Sequence, residues 1–397
     1  MSKFDDLYGR WLERLARAGL RRALRATLPD DPGRVRVDGR ALINLSSNDY
    51  LGLARHPALI ARAQAFAARF GAGAGASRLI TGNLEPFESI EAKLARLKGT
   101  ESSLVLGSGF LANSVAIPAL LRREALEAEP LVFSDELNHA SIVHGVKAAR
   151  VAPVLYRHND LDHLESLLKE HTQRTTRPFI LTESVFSMDG DRADLKGLVA
   201  LAERYGAFLY VDEAHATGVL GPRGMGLACE YAGRIDLIMG TFSKALGSYG
   251  AYLACSAVVR DYLINRASGL IYSTALPPPV LGAIDAALDL VPGLEAERRR
   301  LHANAERLRR AFRTAGLNIG RSSTQIVPVI LGEPEAVMGA ARALEAEGIL
   351  AVAIRPPTVP EGTGRIRFAL SSAHDEAVIA RVIEAVPPLL APWRASA

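Results

Sequence analysis

AFLYVDEAH, residues 207–215, decides how this 397-residue chain is read. Five consecutive residues without charge end on Asp212, Glu213 and His215. A near-continuous apolar run suits a strand buried on both faces of a mainly parallel sheet. Open sheets of that kind bind ligands outside the carboxyl ends of their strands. The acid that terminates such a strand is therefore the first candidate for chemistry.

Working outward, the same pattern recurs in SSLVLG (102–107), PLVFSD (130–135), RPFILTESV (177–185), DLIMGTFS (236–243) and GAYLACS (250–256). Helical stretches lie between the runs, among them PFESIEAKLARLKG (86–99), DLDHLESLLKEH (160–171) and DLKGLVALAERYG (194–206). Asp160 and Asp194 are expected N-caps, and Gly99 a helix stop. Alternating strands and helices predict an α/β fold with a mainly parallel central sheet flanked by helices. Past the proline-rich YSTALPPPV (272–280) the pattern shifts to a long charged helix and a smaller α+β segment. The expected organisation is an N-terminal arm (1–45), a large domain (46–285) and a C-terminal α+β domain (286–397).

Composition excludes several classes. Hydrophobic residues are 49% and charged residues 23%, ordinary for a globular protein. No apolar run reaches the roughly 18 residues of a membrane span. The two cysteines, Cys229 and Cys255, make no disulfide framework or metal spacing and fit a reducing cytosol. The net charge is +4, and the first forty residues hold ten Lys/Arg against six Asp/Glu. That is too mild for a nucleic-acid footprint, which needs a basic stripe and a recognition motif. The basic, amphipathic N-terminus contains Asp5, Asp6 and Glu13, which argues against a transit peptide. A surface helix packed on the body of the protein is expected there.

Two motifs are decoys. Asp212-Glu213-Ala214-His215 matches a helicase acidic box, but no GxxxxGK[ST] phosphate loop accompanies it. GAGAGA (71–76) follows a helical stretch, where a dinucleotide fingerprint must follow a strand. His139 and His144 lack a third ligand at useful spacing, so no metal site is expected.

A buried aspartate is costly unless paired. Taken alone, Asp212 reads as a helix cap or structural ion pair. Lys244 changes that. It sits about thirty residues on in Thr241-Phe242-Ser243-Lys244-Ala245-Leu246-Gly247, among hydroxyls and small residues suited to a phosphate ester. A poorly solvated lysine deprotonates more easily, as a Schiff base requires. A strand-end aspartate and a downstream lysine are the pair a pyridoxal 5'-phosphate (PLP) site needs: one keeps the pyridine nitrogen protonated, the other holds the aldehyde. Gly107-Ser108-Gly109-Phe110 opens a helix whose first amides can bind phosphate. His139 follows a strand where an imidazole can stack on the ring, and ESVFSMDG (183–190) ends another with polar groups.

With these segments assembled, the chain resembles the α-oxoamine synthases, PLP-dependent transferases of fold type I. The likeness runs through SSNDYLGL (46–53), GSGF (107–110), LNHAS (137–141), ESVFSMDGD (183–191), VDEAHATGVLG (211–221), GTFSKALG (240–247) and IYSTALPP (271–278). It implies that Lys244 carries the cofactor and acts as base, and that Asp212 pairs with the pyridine nitrogen. It implies that His215 and Ser187 contact the phenolic oxygen and that His139 stacks on the ring. Gly109, Phe110 and Thr241 would lie near the phosphate, with Thr274 reaching it from a second subunit of a homodimer. Arg355 would bind the amino-acid carboxylate, with Asn48 and Glu183 lining the pocket, and Arg25 would meet the acyl chain's distal carboxylate. AIRPPTVP (353–360) and GTGRIRFALSSAH (362–374) are most similar to the branch that joins L-alanine to a pimeloyl thioester, on coenzyme A or an acyl-carrier protein. Glycine- or serine-using members and a catalytically silent scaffold subunit are the alternatives. ALGSYGAY (245–252) is a variant form within the family and bears on acyl-chain selection.

Overall fold

The computed structural model describes residues 2–393. By its internal contacts the chain divides into two units, Leu51–Ser187 with Arg192–Arg298, and Met1–Tyr50 with Met188–Asp191 and Arg299–Ala397.

The larger unit is built on seven strands: β1 (Ser102–Leu106), β2 (Glu129–Asp135), β3 (Val154–Tyr156), β4 (Thr176–Glu183), β5 (Phe208–Asp212), β6 (Leu237–Thr241) and β7 (Ala251–Cys255). Their order is β1-β7-β6-β5-β4-β2-β3, with β7 alone antiparallel to its neighbours. Six of the seven coincide with the apolar runs. The three-residue edge strand β3, just after Pro153, is too short to leave a periodic signal.

The helices start and stop where the caps require. Asp160 accepts from the His163 amide at 2.8 Å and Asp194 from the Gly197 amide at 3.1 Å. Gly99 takes a left-handed φ of 72° that ends Pro86–Lys98. Lys98 departs from expectation: a basic residue in a last turn normally lies in water, and this one is fully buried.

Two helices position the site. α1 (Gly109–Leu120) follows β1, and α2 (Ala140–Ala148) follows β2. α1 lays Ala112, Ala116 and Ile117 against the sheet core of Leu104, Val132, Leu181, Tyr210 and Leu253. The two helices touch at Gly145, where a β-carbon would stand 2.6 Å from the Asn113 carbonyl oxygen and 2.9 Å from the Ile117 Cβ. Only glycine permits this approach.

The smaller unit combines both ends of the chain. Strand Ile349–Leu350 pairs in parallel with Arg40–Asn44, which forms an antiparallel meander with Arg34–Val37 and Thr27–Pro29. Gly364–Ala369 pairs antiparallel with both Ile326–Gly332 and Val352–Ile354. The N-terminal helix forms over Lys3–Arg17 with a Ser2/Asp5 capping box, but none of its residues is buried. The expected packing on the body is therefore not met. The helix is held by its cap, by Asp5 and Asp6 in the first turn, and by Arg14 and Arg17 in the last, charges that complement its dipole. Phe4, Tyr8 and Trp11 remain 63, 66 and 54% exposed.

Candidate functional site

Because β2, β4, β5 and β6 are parallel, their carboxyl ends deliver polar residues to one edge of the sheet. Register fixes the neighbours: Glu183 at the end of β4 stands opposite Asp212 at the end of β5, and Asp212 opposite Met239 of β6. His139 caps α2 just beyond β2, and Thr241 ends β6 three residues before Lys244.

Asp212 is 4% exposed. Its Oδ1 accepts from the Ala214 amide at 2.8 Å and its Oδ2 from the Asn113 side-chain amide at 2.9 Å. A carboxylate so placed is fixed in direction, as a partner for a protonated ring nitrogen must be. Lys244 Nζ lies 2.9 Å from His215 Nε2. The lysine and the histidine of AFLYVDEAH are thus brought together from positions 29 residues apart.

Glu183 is 3% exposed, and its Oε1 accepts from the His139 backbone amide at 2.7 Å. Burial, reinforced by the nearby Asp212 charge, pushes its carboxyl well above the usual range and favours the neutral acid. His139 is an exposed residue whose ring is nevertheless partly desolvated by its surroundings. That desolvation lowers its pKa; Asp212 opposes the shift and Lys244 adds to it. Its Nδ1 is 2.7 Å from the Ser141 hydroxyl and accepts from the Ser141 amide at 3.2 Å.

At the expected phosphate end, Ser108 caps α1 by accepting from the Leu111 amide, and Gly109 and Phe110 begin that helix. Thr241 is 3% exposed; its hydroxyl donates to the Gly250 carbonyl at 2.9 Å and accepts from the Ser243 amide at 3.0 Å. The Ser243 hydroxyl, 2.6 Å from Thr241 Oγ1, is on an exposed residue. Thr274 is exposed and bridges to Ser77, and Ser187 is 7% exposed.

Within the smaller unit, Arg355 and Arg25 differ sharply. Arg355 is 8% exposed, yet its contacts are the Met338 sulfur at 2.8 Å and the Arg21 carbonyl at 3.0 Å, and its Nε meets no acceptor. Burial and the Arg22 charge lower its pKa. A buried guanidinium held by no carboxylate has the chemistry of an anion receptor. Arg25 is already paired with Glu345 at 2.7 Å and Asp38 at 2.9 Å. Asn48 accepts at Oδ1 from Arg367 at 3.2 Å and from the Tyr50 hydroxyl at 3.0 Å.

The donor set fits PLP: a lysine, a fixed strand-end carboxylate, a helix N-terminus with hydroxyls, and the imidazole of an exposed residue. Asn113, Ser141 and Tyr210 were not singled out by sequence reasoning. The signal was a lone amide inside the apolar ANSVAIPALL. Among the described residues no group of His, Cys, Asp or Glu could hold a metal, and no helix is long and apolar enough to cross a membrane.

Residues 40–386 match the family aminotransferase class I and II. The chain is 57% identical to the 8-amino-7-oxononanoate synthase of Gluconacetobacter diazotrophicus, over 97% of each chain. It shares the fold of a serine palmitoyltransferase from S. paucimobilis with bound PLP, at a TM-score of 0.88 and 27% identity over 98% of this chain and 97% of the other. The 8-amino-7-oxononanoate synthase of Francisella tularensis superposes at 0.75, with 25% identity over 87% of this chain and 97% of that one.

Proposed function

The chain belongs to the aminotransferase class I and II family, and from that premise we propose that it condenses L-alanine with a pimeloyl thioester, releasing carbon dioxide and the carrier thiol to give 8-amino-7-oxononanoate for biotin synthesis. The observation that carries this reading is the 2.9 Å approach of Lys244 to His215 on the sheet edge that also holds Asp212.

PLP is the cofactor, and when bound it supplies an electron sink for the pair left at the amino acid's Cα. The residues supply the rest. Lys244 Nζ would hold PLP through its aldehyde and, when freed, would serve as the base that moves the proton at the amino acid's Cα. Asp212 keeps a proton on the ring nitrogen. His215 and Ser187 meet the phenolic oxygen, and the amides at Gly109 and Phe110 meet the phosphate with the hydroxyls near Thr241. His139 stacks on the ring and offers Nε2–H to the thioester carbonyl. Arg355 receives the alanine carboxylate, with Asn48 and Glu183 beside the substrate. For Arg25 to bind the acyl chain's distal carboxylate, that carboxylate would have to displace Glu345 or Asp38.

The working form is a cytoplasmic homodimer in which Thr274 contributes to the partner's phosphate site. The exposure of Thr274, of Tyr272 at 84% and of the apolar stripe on helix Lys3–Arg17 supports this.

The test is thiol release from pimeloyl-CoA by the purified protein with PLP and alanine, glycine or serine in turn, with product mass checked. Alanine-dependent release with the expected mass supports the reading. Release with glycine or serine alone places the chain in another branch of the family. PLP binding without release with any amino acid points to a different acyl chain or a carrier protein, and absence of PLP binding rejects the reading.

A further inference from the structure

We propose that Asn113 is a positioning residue that sets two groups of the site at once: the direction of the Asp212 carboxylate, and, through Ser141, the tautomer of His139. It deepens the function proposed above and rests on that reading only for what the two groups then do.

Asn113 is completely buried in α1, in a stretch that is otherwise almost entirely apolar. Each of its polar contacts has a defined direction. The Tyr210 hydroxyl donates to Oδ1 at 2.6 Å. One Nδ2 hydrogen goes to Asp212 Oδ2 and the other to Ser141 Oγ, both at 2.9 Å. The amide cannot be turned over. Its oxygen would then face an ionised carboxylate, two acceptors with no hydrogen between them. Tyr210 stays a donor, because burial, with Asp212 nearby, raises its pKa well above the ordinary value.

The consequence reaches His139. Ser141 Oγ accepts from Asn113, so its own hydrogen is available to His139 Nδ1, 2.7 Å away. The Ser141 backbone amide, which can only donate, points to the same nitrogen at 3.2 Å. Two donors facing Nδ1 leave it bare and put the ring proton on Nε2, the nitrogen turned away from α2. The charged groups acting on this ring, Asp212 and Lys244, come from the end of β5 and the loop after β6, while Glu183, at the end of β4, holds the His139 backbone amide. The glycine contact makes the network possible: Gly145 lets α2 come close enough to α1 for Ser141 to reach Asn113. At metal sites, groups that orient the ligands command about 10- to 100-fold in metal affinity, and that scale serves as the expectation for Asn113.

The test uses the full chain with histidine labelled by nitrogen-15. Long-range proton–nitrogen spectra are taken before and after PLP loading, and the His139 signals are identified with His139→Gln. PLP affinity is measured in parallel by fluorescence titration. The wild-type protein is expected to show a single Nε2–H tautomer at His139. Asn113→Leu, which preserves volume, should mix the tautomers and weaken PLP about 10- to 100-fold. Ser141→Ala should mix the tautomers but change PLP affinity less than about 3-fold. The double variant should be no more mixed than Ser141→Ala alone. An Nδ1–H tautomer in the wild type overturns the proposal, and so does an unchanged His139 signal in Asn113→Leu. If Asn113→Leu does not fold, Tyr210→Phe takes its place: it removes one hydroxyl and should shift both readouts in the same sense, and a shift in neither overturns the proposal. A wild-type protein that binds no PLP defeats the function proposed above, while the tautomer measurements still judge Asn113.

Discussion

Lys98 and Glu213 form an ion pair sealed from solvent, Nζ to Oε2 at 2.8 Å, directly behind Asp212 in the chain. Lys98 also donates to the Met225 carbonyl at 2.5 Å and to the Thr217 hydroxyl at 3.3 Å, and lies 5.0 Å from the Tyr252 ring centre. Glu213 Oε1 accepts from the Ala228 amide at 2.8 Å. Burial, the largest single influence, works against the lysine's charge, but Glu213, by charge and hydrogen bond, together with Tyr252 and Cys229 outweighs it and the pKa is raised. The pair ties helix Pro86–Lys98 to the end of β5, where Asp212 sits, and to the segment after it that carries His215.

Removing one partner leaves the other charged and buried. Lys98→Met should cost about 3–5 kcal/mol of stability, and Lys98→Met with Glu213→Gln should recover much of it. Urea unfolding of the three proteins checks this; an additive double variant would mean that the two residues do not interact.

Lys244→Ala should abolish both turnover and the long-wavelength absorbance of covalently held PLP, while the protein still folds. Borohydride reduction followed by peptide mass mapping decides it. A reduced PLP adduct on another lysine would reassign the site.

Arg355→Gln should raise the KM for alanine about 100-fold, near 3 kcal/mol, by removing a charge-assisted partner of the carboxylate. Unlike Lys98→Met, it should not lower the melting temperature, because it removes a buried cation held by no carboxylate. Initial-rate kinetics and a melting curve test the two halves separately.

His374, 1% exposed, has its pKa lowered to about 4, chiefly by burial. Its Nδ1 accepts from the Ser371 amide at 3.1 Å, and its Nε2 donates to the Asn44 carbonyl at 3.1 Å, which suits the neutral ring. Between the ordinary value and about 4 the unfolded chain binds a proton that the folded one refuses. The stabilisation is complete above about pH 6.5 and declines as pH falls to about 4, by up to ~3 kcal/mol. His374→Gln should flatten that part of the stability–pH curve, measured by chemical denaturation at each pH.

Much of the sheet was legible because its strands are unbroken apolar runs, and Asp212 and Lys244 stood out because charged residues end such runs. Strand direction was not legible: GAYLACS has the same composition whether parallel or, as found for β7, antiparallel. Lys98 was misleading because a lysine before a C-terminal glycine usually lies in water; its burial depends on Glu213, 115 residues away. Glu213 was visible only as part of a false helicase box. Asn113 and Tyr210 lie within ordinary helix and strand patterns, and their pairing depends on β5 lying beside α1, which no local pattern encodes. Arg25 and Arg355 carry the same charge in the sequence and are separated only by their neighbours: two carboxylates around one, none around the other.

The amide of Asn113 lies between Asp212 and His139, and a carboxamide does not pass protons along as a hydroxyl or a water does. The chain of contacts from Tyr210 to His139 therefore acts as an insulator. It transmits orientation between the two ends and blocks conduction of charge. Asp212 and His139 can thus be aligned by one side chain with no proton wire between them, although the Asp212 charge still acts on the His139 ring through space.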